Sequence, residues 1–231
     1  MEIVEPYAKM YDIATMEGRY PHQLQVTKEN FGIPMLQAVE LIARVSHRSE
    51  DSVTKDSWDK FIRSVVLQHG DWSVTEHCVV TVEAYVDRGI THEWVRHRLG
   101  AYTQESTRFV NYTKKIGLKF IKPEGLSEIA ELEWFDHTRF SEEGYNSLIG
   151  LSVTPQIARS VLPNALASKL IVTYNLRMWR HFFLMRTTKE AHPQMRQVTI
   201  PLLEQFQSVI PILYEDIIPN ARQVDNLRLP R

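Results

Sequence analysis

Arg96-His97-Arg98, followed after seven residues by Ser106-Thr107-Arg108, is the densest set of chemistry-bearing side chains in the sequence. Three arginines and one histidine fall within thirteen positions, with Gln104, Glu105, Ser106 and Thr107 threaded among them. An arginine presents a planar fork of donors matched to phosphate, and each charge-assisted contact contributes roughly 1.5 to 3 kcal/mol net. The set suits an anionic, hydrogen-bond-rich ligand such as a nucleotide or a dinucleotide cofactor. A charge-rich stretch is by default a solvated face. Here it follows directly on the apolar-patterned segment Ile90 to Val95, and Gly100 with the Thr, Gln and Ser residues weakens any helix, so the ligand-like groups are expected on a positioned loop.

A zinc motif is ruled out by spacing. His92-Glu93 with His97 resembles HExxH, but five positions turn a helix through about 500 degrees and leave the two imidazoles about 140 degrees apart. No other Cys or His group has metal-ligand spacing, so no metal is expected.

The elements that must position these residues can be traced along the chain. Glu2 to Ala8 reads as a β-like start, and Gly18 and Pro21 as loop. Met35, Ala38, Val39, Leu41, Ile42 and Val45 recur at helical spacing, and a second helix carrying Trp58, Phe61, Ile62, Val65 and Val66 is expected from a cap at Asp56 or Ser57 to Gly70. Ser73 stands three residues before Glu76, the spacing of a capping box, and the same turn exposes N–H groups suited to phosphate. Cys78 to Val86 alternates like a strand, which makes Cys78 a packed thiol. Gly89 to Val95 reads as a short helix, Phe109 to Tyr112 and Leu118 to Ile121 as short strands. Leu126 to about Leu151 is a long amphipathic helix whose Ile129, Leu132, Phe135, Phe140, Tyr145 and Leu148 are expected to pack in the core or against another subunit.

Thr154-Pro155 opens a helix with proline in its first turn, and Arg159 among its apolar residues calls for a partner, an ion pair or a ligand anion. Ala167 to Tyr174 reads as a strand feeding a helix from Asn175 to Arg186, on which Asn175, Arg177 and His181 do not share one face; either some cap the helix or they face different subunits. A last helix is expected from Met195 to about Tyr214, with a loose tail after about Pro219.

A chain of 231 residues, 43% hydrophobic and 24% charged, suits one soluble globular domain, 1–231. A formal net charge of -1 argues against coating nucleic acid, which needs a broad basic surface; positive charge gathers instead near residues 88 to 108 and 177 to 196. The lone Cys78 permits no internal disulfide. With Met1 followed by Glu2, no apolar leader and no run of about 18 apolar residues, the chain is expected to be cytoplasmic and free of membrane spans.

Arg96-His97-Arg98-x7-Ser106 resembles the signature of the flavin-dependent thymidylate synthases. Ser73-Val74-x-Glu76-His77, Ile157-Ala158-Arg159-x-Val161-Leu162-Pro163, and Asn175-x-Arg177 followed by Phe182, Phe183 and Arg186 resemble that family in the same order, across about residues 70 to 200. The resemblance implies an α+β fold, a twisted mainly antiparallel sheet with flanking helices, and a homotetramer with shared active sites. It implies FAD held by Ser73, Glu76, Arg96, His97, Arg98, Gln104, Asn175, Arg177 and His181. The substrate dUMP would lie against Glu93, Arg96, Gln104, Glu105, Ser106, Thr107, Arg108, Arg159 and Arg186.

The activity implied is reductive methylation of dUMP to dTMP, with methylenetetrahydrofolate as carbon donor and NADPH-reduced FAD as hydride source. Arg186 would stabilise the charge that develops on the uracil ring, and Ser106 would orient that ring, so no cysteine nucleophile is required. Where the family commonly carries Gln, Asn, Glu, Tyr and Asn, this sequence has Glu93, Thr103, Gln104, Phe109 and His181. Those departures define the alternative, a catalytically impaired flavin- or nucleotide-binding protein on the same scaffold.

Overall fold

The computed structural model describes residues 1–10, 32–114 and 117–222. Gly18, Pro21 and the end of the tail lie outside them. By contacts the chain divides into two compact units, one of Met1–Ala8, Glu83–Arg98 and Tyr102–Val172, the other of Lys9–Val82, Leu99–Ala101 and Thr173–Arg231.

The four-stranded sheet has the order β2-β3-β6-β4, with β2 Tyr7–Met10, β3 Val79–Asp87, β4 Ala101–Gln104 and β6 Ala167–Asn175. Leu176 N donates to Cys78 O, the hydroxyls of Thr81 and Thr173 meet at 2.8 Å, and Arg88 N reaches Leu166 O. The index climbs along β3 while it falls along β6, which makes the pair antiparallel. Glu105 N on Lys169 O and Gly100 against Tyr174 make β4 and β6 antiparallel as well. β1 Glu2–Ile3 pairs in parallel with β5 Lys119–Phe120 in a separate two-stranded ribbon. The chain is therefore α+β, with a mainly antiparallel sheet and flanking helices, as expected. Along β3, Val80, Val82, Ala84 and Val86 are all buried as expected, and Glu83 on the other face is buried as well.

Several local expectations are corrected. Residues 101–104 form edge strand β4 rather than loop, because β6 supplies a ladder for them. Phe109 to Tyr112 is a turn, with Phe109 exposed and Tyr112 buried against Tyr145. The β-like start is two short strands, β1 and β2. Helix α1 is Gly32–Arg44; α2, Ser57–Phe61, continues as a π-helical stretch Ile62–Gln68 that buries Ile62 and Val66, and ends before Gly70 at φ 83. Asp56 sits at the cap position without a side-chain cap bond, and Ser57 Oγ donates to Glu40 Oε2 at 2.7 Å. Ser73 forms no capping box: it lies inside a 3-10 helix, Trp72–His77, that starts after Asp71.

Helix α4, Glu128–Gly150, is capped by Ser127, whose side chain accepts from Ala130 N. Tyr145 is fully buried, but Ile129, Leu132 and Phe140 are exposed, so within one chain they are not core. The expected last helix is two: α7 Pro193–Val209 and α8 Pro211–Tyr214. Pro211 offers no N–H and pushes Ile210 to φ -132, ψ 56, which breaks the run although the apolar stripe continues. No described helix is long and apolar enough to cross a membrane.

Candidate active site

In the first unit, the arginine motif is delivered by α3, Arg88–Trp94. Asp87 Oδ1 accepts from Ile90 N at 2.9 Å, and Gly89 carries no Cβ that would crowd that carboxylate. Ile90 and Trp94 face inward, so the chain leaves the helix with Arg96 and Arg98 exposed and His97 half-buried. The Tyr102 hydroxyl donates to the His97 carbonyl and closes the turn that carries all three.

Beyond β4 the chain bends at Ser106, whose Oγ accepts from Arg108 N at 3.3 Å and whose carbonyl accepts from Phe109 and Val110. The hydroxyl thus shapes its own loop. The Arg108 guanidinium lies over the Phe109 ring at 5.4 Å. Gln104 points inward and donates to Thr91 Oγ1 and Ser168 Oγ, bracing β4 on α3 and β6. Glu105 Oε1 accepts from the Tyr112 hydroxyl at 2.7 Å; burial, then this carboxylate, push the Tyr112 phenol far up. Glu93, at the end of α3, is half-buried.

Arg159 follows α5, Pro155–Ala158, in a 3-10 turn. It is exposed, so the burial that demanded an ion pair does not arise, and its Nη1 donates to Thr107 Oγ1 at 3.1 Å. Both belong to a pocket of about 440 Å³ whose lining also includes Arg88, Gln156, Ser160, Leu162 and Leu166. The sequence reading found Thr107 and Arg159 but missed Arg88, Gln156 and Ser160. Arg88 lies eight positions before the motif, and only its place in the basic stretch 88 to 108 signalled it.

The second unit gathers a different set. Asn175 accepts from Met178 N at 2.8 Å, so of the two options for it the helix cap is realised, starting α6, Leu176–Arg186. Trp179, Phe182 and Phe183 bury one face of α6, and Trp179 Nε1 donates to Val80 O at 2.9 Å. Arg177 is left on the outer face, where Nη1 meets Glu76 Oε1 at 2.7 Å beside exposed Ser73. Both partners are about half exposed, so the pair is worth little to stability and remains open to ligand. His181 is also exposed, yet the surrounding protein and then the Arg186 charge hold its imidazole below the ordinary 6.5. Thr199 Oγ1 donates to Arg186 O at 2.8 Å, fixing the end of the helix that presents Arg186.

Cys78 is not part of either set. Its thiol donates toward Met35 O, and burial pushes it up to about 11. Among the described residues no group of three or more His, Cys, Asp or Glu is placed to hold a metal ion.

Sheet, helices and clusters define an α+β protein that presents guanidinium groups beside hydroxyls and amides. Residues 34–212 match the family model described as thymidylate synthase complementing protein, and the chain belongs to that family. It is 33% identical over 173 residues to the flavin-dependent thymidylate synthase of Saccharolobus solfataricus, and 33% over 177 residues to that of Sulfurisphaera tokodaii, in each case covering 74% of this chain and 66% of the relative. The enzyme of the same name from Mycobacterium tuberculosis is 32% identical over 169 residues, 65% of this chain and 66% of that one. The matched stretch thus spans just under two thirds of those relatives. A crystal structure of the UMP/dUMP methylase PolB from Streptomyces cacaoi, bound with 5-Br dUMP, shares the fold with a TM-score of 0.71 at 21% identity, covering 93% of this chain and 96% of that one.

Proposed function

We propose that this chain is a flavin-dependent thymidylate synthase converting dUMP to dTMP, with methylenetetrahydrofolate as carbon donor and NADPH as reductant. The observation that carries the reading is the Arg159 contact with Thr107, which sets a second guanidinium beside the Ser106-Thr107-Arg108 loop of the motif within the family-matched stretch. A uracil nucleotide carries two kinds of negative charge, a permanent one on phosphate and a developing one on the ring. Arg159, Arg108 and the loop hydroxyls suit the first. Arg186 suits the second, because a guanidinium stays protonated and stabilises charge without forming a bond. Ser106 orients the ring, with Glu93, Arg96, Gln104 and Glu105 as the remaining nucleotide neighbours.

The residues the resemblance assigns to FAD are Ser73, Glu76, Arg96, His97, Arg98, Gln104, Asn175, Arg177 and His181. Arg96 and Arg98 in the first unit and Arg177 in the second are each exposed and of a type suited to phosphate, whereas Asn175 and Gln104 already hold structural hydrogen bonds. When bound, reduced flavin supplies the hydride. The chain acts as one catalytic domain in the cytoplasm and as a homotetramer, a state supported by Ile129, Leu132 and Phe140, which one chain leaves uncovered.

The test is tritium release from 5-tritiated dUMP by the purified yellow protein, dependent on NADPH and methylenetetrahydrofolate and lost in Arg186→Ala and Ser106→Ala. Bound flavin and dUMP with no release would favour the non-catalytic alternative.

A further inference from the structure

Beyond the residues assigned so far, we infer that Arg88 is a substrate-recognition residue, the second arm with Arg159 of a grip on the phosphate monoester of the nucleotide. The inference rests on the reading of the pocket as a nucleotide site.

The lining of the 440 Å³ pocket carries two guanidinium groups, the Thr107 and Ser160 hydroxyls, the Gln156 amide and the apolar Leu162 and Leu166, with no carboxylate among them. Among the described residues neither arginine has a carboxylate within ion-pair distance. Two like charges lining one small pocket repel, and an anion between them adds two attractions that outweigh that repulsion. Glu105 accepts a hydrogen bond from the Tyr112 hydroxyl at 2.7 Å and is not among the pocket's lining residues. The volume lies toward the lower end of small-molecule sites, enough for a mononucleotide portion and small for a dinucleotide.

The backbone of Arg88 is anchored independently of its side chain. Its N–H donates to Asn164 O at 2.9 Å and to Leu166 O at 3.1 Å, and Asp87 caps the helix just before it. The side chain therefore starts from a fixed point beside fully buried Leu166, with its head free to serve the pocket.

The test is calorimetric titration of the flavin-loaded protein with dUMP and with 2′-deoxyuridine, in wild type, Arg88→Gln and Arg88→Lys. Arg88→Gln is expected to weaken dUMP by about tenfold or more, from the loss of one charge-assisted contact. Deoxyuridine affinity and flavin absorbance stay unchanged, and Arg88→Lys falls between. Wild-type affinity for dUMP in both variants, an equal loss for dUMP and deoxyuridine, or loss of flavin with dUMP binding intact overturns the inference while leaving the proposed function standing. Wild-type protein that binds no dUMP overturns both. Should Arg88→Gln fail to fold, judged by its melting curve, Arg88→Lys alone decides on the same comparison.

Discussion

Thr107, almost fully buried, receives a hydrogen bond from Arg159 at 3.1 Å across 52 residues of sequence. The hydroxyl fixes one nitrogen of the guanidinium fork and leaves the remaining donors for the pocket. Thr107→Val keeps the shape and removes the acceptor. Binding of dUMP is expected to weaken about threefold to tenfold with little change in Tm, a modest effect because Arg159 is exposed. Unchanged affinity by calorimetry would show that the bond does no positioning.

Arg180 is the buried counterpart of the exposed arginines. It meets Asp216 through both terminal nitrogens, at 2.7 and 2.5 Å, donates to Leu213 O, and lies 4.8 Å from the centre of the Trp72 ring. Asp216→Asn leaves a guanidinium charge only 8% exposed without its counter-charge. A loss of about 2 kcal/mol is expected, discounted because Asp216 is one-third exposed, and with it a fall in Tm of about 4 to 8 °C. A melting curve superimposable on wild type would refute it.

Gly100 sits in the loop between Arg98 and β4, where an added Cβ would fall inside the Tyr174 ring. Tyr174 is fully buried and packs on Trp179 and Phe182, so it has no room to yield. Gly100→Ala is expected to cost about 1 to 3 kcal/mol and to displace the Arg96-His97-Arg98 loop, read as lower stability together with lower flavin content. Full stability in urea unfolding would contradict the close packing.

Cys78 offers a chemical check on the route without a thiolate. With its pKa pushed up to about 11, on the order of one thiol in a thousand is ionised at pH 8. Iodoacetamide is expected to label it slowly in the native protein and quickly in urea, and Cys78→Ser to retain tritium release. Rapid native labelling, or an inactive serine variant of normal stability, would count against this.

His181 gives a pH signature. Its folded pKa lies below the unfolded value of 6.5, so the unfolded chain binds the proton more readily. Its favourable contribution is complete above about pH 6.5 and is lost as pH falls toward the folded pKa. Tm measured from pH 7.5 to 5.5 is expected to fall less in His181→Gln than in wild type; equal slopes would remove the effect.

Local pattern made much of the fold legible. Alternation wrote β3, Asn175 marked the start of α6, Pro155 that of α5, and the long amphipathic run became α4 within two residues of its expected bounds. The missed break at Pro211 came from following a continuous apolar stripe past a residue that cannot donate. Four ordered motifs likewise carried the resemblance to the family, which the family model over residues 34–212 bears out.

What the sequence by itself determined is which side chains can do chemistry and which segments prefer helix or strand, because those depend on neighbours within a few residues. Only the tertiary structure decided that Thr107 holds Arg159, that Gln104 braces Thr91 and Ser168 rather than standing free, that Phe109 to Tyr112 turns instead of extending, and that Arg88 lines a pocket. Each of these joins positions whose approach is set by strand register and by the burial of Tyr112 and Tyr145, and a hydrogen bond or a packed ring across dozens of residues leaves no periodic trace along the chain.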